Sequence, residues 1–154
     1  LSDIAAFRRG KTITKDKTET GMIPVVAGGL EPAYYHSKAN TVSPLITISA
    51  SGANAGYTRI YYEDVWASDC SVLDNSETEK LFFIYAFLAN SKEQIKNLQR
   101  GAAQPHVYPK DINALKLLIP TDELTQEYCS IVSAFFGEIA CFKKNIKYSK
   151  FLFS

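Results

Sequence analysis

The sequence is poor in the residues from which most active sites are built. Among its 154 residues are two histidines, three cysteines, one methionine and one tryptophan. His36 and His106 stand alone, without the spacing of a metal or nucleophile signature. Cys70, Cys129 and Cys141 are odd in number and form no CxxC pair, which speaks against a disulfide framework or a zinc site and for buried thiols in a reducing compartment. Cys129 and Cys141 fall on one expected helix about 18 Å apart, beyond disulfide reach. Net charge is also lacking: at +1, bulk electrostatics point to no nucleic-acid or membrane partner. The longest apolar run, Leu81 to Leu88 with Ala89 after it, has nine residues, far below the roughly 20 of a membrane span. With no initiator Met and no signal-peptide pattern, the expectation is a soluble cytoplasmic chain or an excised piece of a longer one.

Catalytic motifs are missing as well. Gly52-Ala-Asn-Ala-Gly56 lacks the Gly-Lys-Ser/Thr ending of a phosphate loop, and no GxGxxG opens a helix. Glu63 and Asp64 are adjacent and would point to opposite faces of a strand, so they make no carboxylate pair. Nothing specifies an enzyme, a metal or a cofactor.

The charges that are present are unevenly placed. Arg8 to Lys17 holds five basic residues and one acid, Glu63 to Lys80 six acids and one base, and Lys143 to Lys150 four lysines and no acid. Such runs are commonly solvated faces. Length and composition suit one globular core with an appendage.

Up to about residue 75 the texture is β-rich. Strands are expected over Met22–Ala27, Leu45–Ser49, Tyr57–Tyr62 and Cys70–Leu73, the second and third forming a hairpin through the glycine-rich 51–56 turn. Pro32 and Pro44 bracket a polar loop with His36 and Lys38. Ser76 with Glu79 and Ser91 with Gln94 fit the capping box, predicting helices over about 77–89 and 92–99. The first, which carries the Leu81 run of consecutive apolar residues, should be buried nearly all round. Pro105 and Pro109 should hold an extended link, and Leu115–Ile119 a last short strand closed by Pro120.

A different pattern runs from Asp122 to Phe153. Tyr128, Val132, Phe135, Ile139, Phe142, Ile146 and Phe153 follow a heptad seam, with Asp122, Glu123 and Glu127 at its start and four lysines at its end, matching the helix dipole. A helix of about 48 Å exceeds the body of so small a domain. Its seam therefore calls for another helix: a second copy, a partner or missing sequence. The fold class expected is α+β, a compact irregular β-rich domain with short helices over 1–120 and one long coiled-coil-forming helix over 121–154.

Polar and aromatic residues gather on the expected loops: Arg8, Arg9, Lys11, Ser51, Asn54, Tyr57, Arg59, Gln104, His106, Tyr108 and Lys110. Arginine, asparagine and glutamine can make paired hydrogen bonds to a base edge, and lysine and serine suit phosphate. Each also has a plainer role available: a solvated face for Arg8, Arg9 and Lys11, the turn itself for Asn54, and loop scaffolding for Gln104 and His106.

Four segments carry a family likeness: Ile23-Pro-Val-Val-Ala-Gly-Gly29, Ile46-Thr-Ile-Ser-Ala-Ser-Gly-Ala-Asn-Ala-Gly56, Val65-Trp-Ala-Ser-Asp-Cys70 and Gly101-Ala-Ala-Gln-Pro-His-Val-Tyr-Pro-Lys-Asp111. Their order, followed by Leu118-Ile-Pro120 and a long helix, resembles the DNA specificity (S) subunit of type I restriction–modification systems. The resemblance implies a target recognition domain reading one half of a split duplex site, and a spacer helix that meets a second such half and docks methyltransferase and, through it, restriction subunits. It implies no catalysis by this chain, phosphate contacts from Arg8 to Lys17 and from amides of the Gly52–Gly56 turn, and base reading by loops near 8–20, 30–44 and 90–104. Ala50 stands where many members have arginine, so a phosphate contact credited to that arginine does not carry over. The alternative is a protein-interaction scaffold acting through its helix alone. The methyltransferase itself is disfavoured, since there is no Asn-Pro-Pro-Tyr-type motif.

Overall fold

The strand Leu45–Ser49 has no exposed face: all five of its residues, Leu-Ile-Thr-Ile-Ser, are buried. A strand can be apolar on both sides only between two packed layers. The computed structural model, which describes residues 1–74 and 79–152 with side chains except at 143–144 and 147–152, builds those layers. The first sheet is antiparallel, ordered β1 (Arg8–Arg9), β7 (Cys70–Asp74), β4 (Leu45–Ser49), β5 (Thr58–Tyr61). The second is ordered β3 (Tyr34–His36), β2 (Ile23–Val26), β6 (Trp66–Ala67), with β2 and β6 parallel.

Alternation along the strands divides the core in two. Ile46, Ile48, Ile60 and Leu73 face a helical layer supplied by α1 (Leu81–Asn90), α2 (Lys92–Asn97) and α3 (Pro109–Asn113). Leu45, Tyr61, Cys70 and Val72 face the second sheet and meet Val26, Val65 and Ala67. Asn113 ties the N-terminal segment to this body, its side chain accepting from Phe7 N–H (2.8 Å) and donating to the Phe7 carbonyl (3.0 Å).

The four expected strands form close to their expected bounds, and so does the β4–β5 hairpin. Its turn needs glycine, since Gly52 and Gly56 have φ of 79° and 88°. Several expectations are overturned. Residues 115–120 form no strand, because they run between helices rather than beside a sheet edge; Pro109, taken for a link, instead opens α3. The first helix begins at Leu81, with Glu79 in the turn before it, and Ser91 makes no side-chain cap; Ser76 lies outside the described residues. That helix buries only Leu81, Ile84 and Leu88, its other side being half-covered. The loop between Pro32 and Pro44 contains β3, whose His36 is buried edge-on to Trp66, with ring centroids 5.0 Å apart.

The long helix, α4 (Asp122–Leu152), forms at the expected place. The Thr121 hydroxyl accepts from Leu124 N–H (3.4 Å) at its start, where Lys80 also pairs with Asp122 at 2.6 Å. The expected seam stays uncovered by its own domain at Tyr128, Phe135, Ile139, Phe142 and Ile146, but another side of α4 does pack there. Thr125 and Cys129 are buried, Val132 and Phe136 half-buried, and the Phe136 ring stacks on Phe82 (5.1 Å) and meets Tyr62 and Tyr85. One residue earlier at each step, and so about 100° round the helix, runs a second stripe. Leu124, Tyr128, Ile131, Phe135, Ile139, Phe142 and Ile146 are 37% to 66% exposed. Val132 thus leaves the expected seam, because it lies on the side of α4 that packs on α1, and Ile131 joins it. Phe153 lies outside the described residues.

Phe136→Ala should cost about 2 kcal/mol, below the range for a fully buried ring, whereas Phe135→Ala should change stability by less than about 0.5 kcal/mol; urea denaturation of the two variants measures both. Burial pushes the Cys70 thiol up to about 12, with Asp69 adding to the effect. Cys70 should therefore resist a thiol reagent at pH 8 in the native protein, and Cys129 should be shielded by its burial, while the exposed Cys141 reacts at once, as mass spectrometry of the labelled chain will read.

Candidate nucleic-acid interface

The polar residues singled out by the sequence do not share one role. Arg8 and Arg9 are neighbours on an edge strand, so their side chains leave opposite faces. Arg8 donates to Asp74 Oδ2 (3.0 Å) and to the Asn40 carbonyl (3.3 Å), and Asp74, only 3% exposed, also accepts from Val42 N–H (3.4 Å). Arg8 is the counter-ion of a buried carboxylate, a structural role that sequence position alone does not reveal.

Arg9 is half-exposed and donates to Asp69 Oδ1 at 3.2 Å. The other oxygen of Asp69 accepts a hydrogen bond from the Ser51 hydroxyl, and the backbone of Ser51 is bridged to His106. Asn54 donates through Nδ2 to the Gly28 carbonyl (3.3 Å), and Arg59 donates to the Leu30 carbonyl (2.6 Å) with its guanidinium 4.9 Å from the Tyr61 ring centre. Arg9, Ser51, Asn54, Arg59 and His106 are therefore brought to one end of the sheets, around the Gly28–Leu30 turn. Asp69, which joins two of them, escaped sequence reading because an acid in a turn is unremarkable by type.

The stretch after Arg9 is held down tightly. Gly10 N–H donates to the Cys70 carbonyl (2.8 Å) and Lys11 N–H to that of Ala67 (2.9 Å). A Cβ on Gly10 would come within 2.3 Å of the Ser68 carbonyl oxygen, so only glycine permits this approach. Lys11 is exposed, its ammonium 5.9 Å from the Trp66 ring centre, and its carbonyl accepts from Trp66 Nε1 (2.7 Å).

Tyr57 is 47% exposed at the start of β5. Gln104 is exposed at the tip of a hairpin closed by reciprocal backbone bonds between Arg100 and His106 (2.9 and 2.8 Å), where the His106 ring stacks near Tyr108. The turn amides are another matter. Those of Gly52, Ala55, Gly56 and Tyr57 donate to the carbonyls of Pro105, Gly52, Ser49 and Asn54, so these four are not available to an anion as the sequence reading expected.

Loops 8–20 and 30–44 meet in a second polar area. Glu19 N–H donates to His36 Nδ1 (2.9 Å), Ser37 donates to the Glu19 carboxylate (2.6 Å), and the Tyr34 hydroxyl donates to the Ile13 carbonyl. The Ser37 bond, reinforced by Lys38, holds the Glu19 carboxyl below its usual range. Lys15, Thr18, Tyr34 and Tyr35 line a shallow hollow there. Among the described residues, no group of His, Cys, Asp and Glu is placed to hold a metal ion.

Arg8→Ala removes a guanidinium that pairs with the buried Asp74 at 3.0 Å and should destabilise the chain by about 2 kcal/mol, less than a fully buried pair because the guanidinium is partly exposed. Arg9→Ala should change stability by under about 0.5 kcal/mol. Paired urea melts distinguish the two roles.

Comparison with known proteins adds an independent observation. A family model described as "Type I restriction modification DNA specificity domain" matches residues 1–148. A solved structure, the crystal structure of a type I restriction–modification system S subunit from M. genitalium, superposes with a TM-score of 0.73 at 19% identity, over 96% of this chain and 41% of that one. The chain thus spans about two fifths of the length of that protein. No curated protein matches it.

Proposed function

The chain belongs to the type I restriction modification DNA specificity domain family, the non-catalytic specificity component of such complexes, and on that premise we propose that it is a target recognition module that reads one half of a bipartite duplex site. Methyl transfer and cleavage then fall to separate methyltransferase and restriction subunits. The match over residues 1–148 carries this reading. Arg9 and Lys11 supply phosphate contacts from an anchored backbone, with Ser51, Asn54, Tyr57, Arg59, Gln104 and His106 bordering the same end. Base reading falls to the hollow lined by Lys15, Thr18 and Tyr35, whose donors and aromatic ring suit base edges. Arg8 drops out of the contact set.

The exposed stripe of α4 is the face on which another helix docks, whether of a second recognition half or of a methyltransferase subunit. No described helix is long and apolar enough to cross a membrane, which fits a helix meant for protein.

Selection from a pool of random duplexes by the full chain, alone and with its methyltransferase subunit, tests the reading. The expected result is enrichment of one asymmetric motif and an affinity that falls steeply between about 50 and 200 mM salt. Arg9→Ala and Lys11→Ala should each weaken binding to all sequences alike and lower the salt slope by about one. Absence of salt-sensitive binding under both conditions would leave the helix-only scaffold as the better description.

A further inference from the structure

A carboxylate stands in the hollow assigned to base reading. Glu19 lines it together with Lys15, Thr18 and Tyr35, and its side chain is 61% exposed. On a surface that approaches duplex DNA such a group is repelled by every phosphate, and it gains only where a base turns a donor toward it.

Both the backbone and the side chain of Glu19 are held in place before any partner arrives. Glu19 N–H donates to Nδ1 of the buried His36 (2.9 Å), and the preceding Thr18 is tied to the Lys15 carbonyl through its hydroxyl (2.6 Å) and its N–H (3.2 Å). Two residues further on, a Cβ on Gly21 would come within 2.3 Å of the His36 carbonyl oxygen, so the loop lies directly against the end of β3. Ser37 Oγ donates to Glu19 Oε2 (2.6 Å), and the Lys38 ammonium lies 3.5 Å from the same oxygen. Both partners thus engage Oε2. Among the described residues none donates to Oε1, which leaves one acceptor in a fixed position on a carboxylate that Ser37 and Lys38 keep ionised.

The chemistry of the base edges decides what such an acceptor suits. In the major groove the exocyclic amino groups of cytosine and adenine are the donors. Adenine sets its N7 acceptor beside the amino group and so calls for a side chain that accepts and donates together, as asparagine and glutamine do; a carboxylate would face N7 with a second acceptor. Cytosine has no acceptor beside N4 on that edge and takes a lone carboxylate oxygen. Its guanine partner presents O6 and N7, which suit an ammonium, and Lys15 lines the same hollow. An acceptor and a cation in one hollow match the two halves of a C·G pair.

We propose that Glu19 is a specificity-determining residue whose Oε1 accepts from the N4 amino group of a cytosine in the recognised half-site, with Ser37 as its positioning residue. This rests on the DNA recognition proposed above and names the base that the hollow reads.

Selection from a pool of random duplexes, by the full chain with its methyltransferase subunit, tests it through the variants Glu19→Gln and Ser37→Ala. Both side chains are exposed, so neither substitution threatens the fold. The wild type should enrich a motif with a C·G pair at one position where Glu19→Gln lowers the preference for cytosine about tenfold, the loss of one charge-assisted hydrogen bond. Adenine should rise there instead, because glutamine can pair with its N6 and N7. Every other position should keep its base. Ser37→Ala should blunt the same position without creating a new preference, an effect that a merely structural serine would not have. A motif that Glu19→Gln leaves unchanged, a change at a position that is not C·G, or equal weakening on all sequences would each overturn the assignment, and a Ser37→Ala motif like the wild type's would overturn the positioning role. A wild-type chain that enriches no motif refutes DNA recognition itself, whereas an intact motif indifferent to residue 19 refutes only the role of Glu19.

Discussion

Burial of β4 on both faces is the constraint from which the rest of the molecule follows. A strand carrying Leu45 and Thr47 on one side and Ile46 and Ile48 on the other requires a layer on each. One is the helical layer; the other is the small second sheet, which has only three short strands and could not stand alone. The second sheet in turn fixes the polar end. Val26 leads directly into the Gly28–Leu30 turn, and Ala67 into Asp69, which joins Arg9 to Ser51. Removing the second core would leave those loops with nothing to hold their spacing.

The same logic explains what sequence could and could not foretell. β2, β4, β5 and β7 were legible because each is a run of β-formers ended by glycine or a polar turn. β1, β3 and β6 were not: two or three residues long, they carry no periodicity and exist because a neighbour offers a ladder. The 115–119 segment has strand composition without an edge to join. In α4 the apolar spacing was legible, but its division between two faces was not, since the choice between Ile131 and Val132 depends on where α1 lies.

The candidate site was legible by residue type more than by role. Arg9, Ser51, Asn54, Arg59 and His106 come to one end of the sheets, a convergence that their residue types did not foretell. Arg8 could not be told from Arg9, because the distinction lies in a buried aspartate sixty-six residues away. The turn at Gly52–Gly56 was correctly placed, yet its amides serve the hairpin and the Arg100–His106 strand pair, a use that appears only when long-range partners are known.

The anchoring of Arg9, Gly10 and Lys11 to the β6–β7 connection bears on the thermodynamics of any encounter with a polyanion. A disordered basic arm must lose backbone entropy when it binds, about 1–2 kcal/mol per residue, and this offsets much of its electrostatic gain. Here that ordering is completed during folding, through two main-chain hydrogen bonds and a glycine that admits no side chain. The cations therefore meet a partner with only side-chain freedom left to lose. A chain with almost no net charge can in this way depend on a few well-placed cations instead of many, and its binding should carry little of the heat-capacity signature of coupled folding.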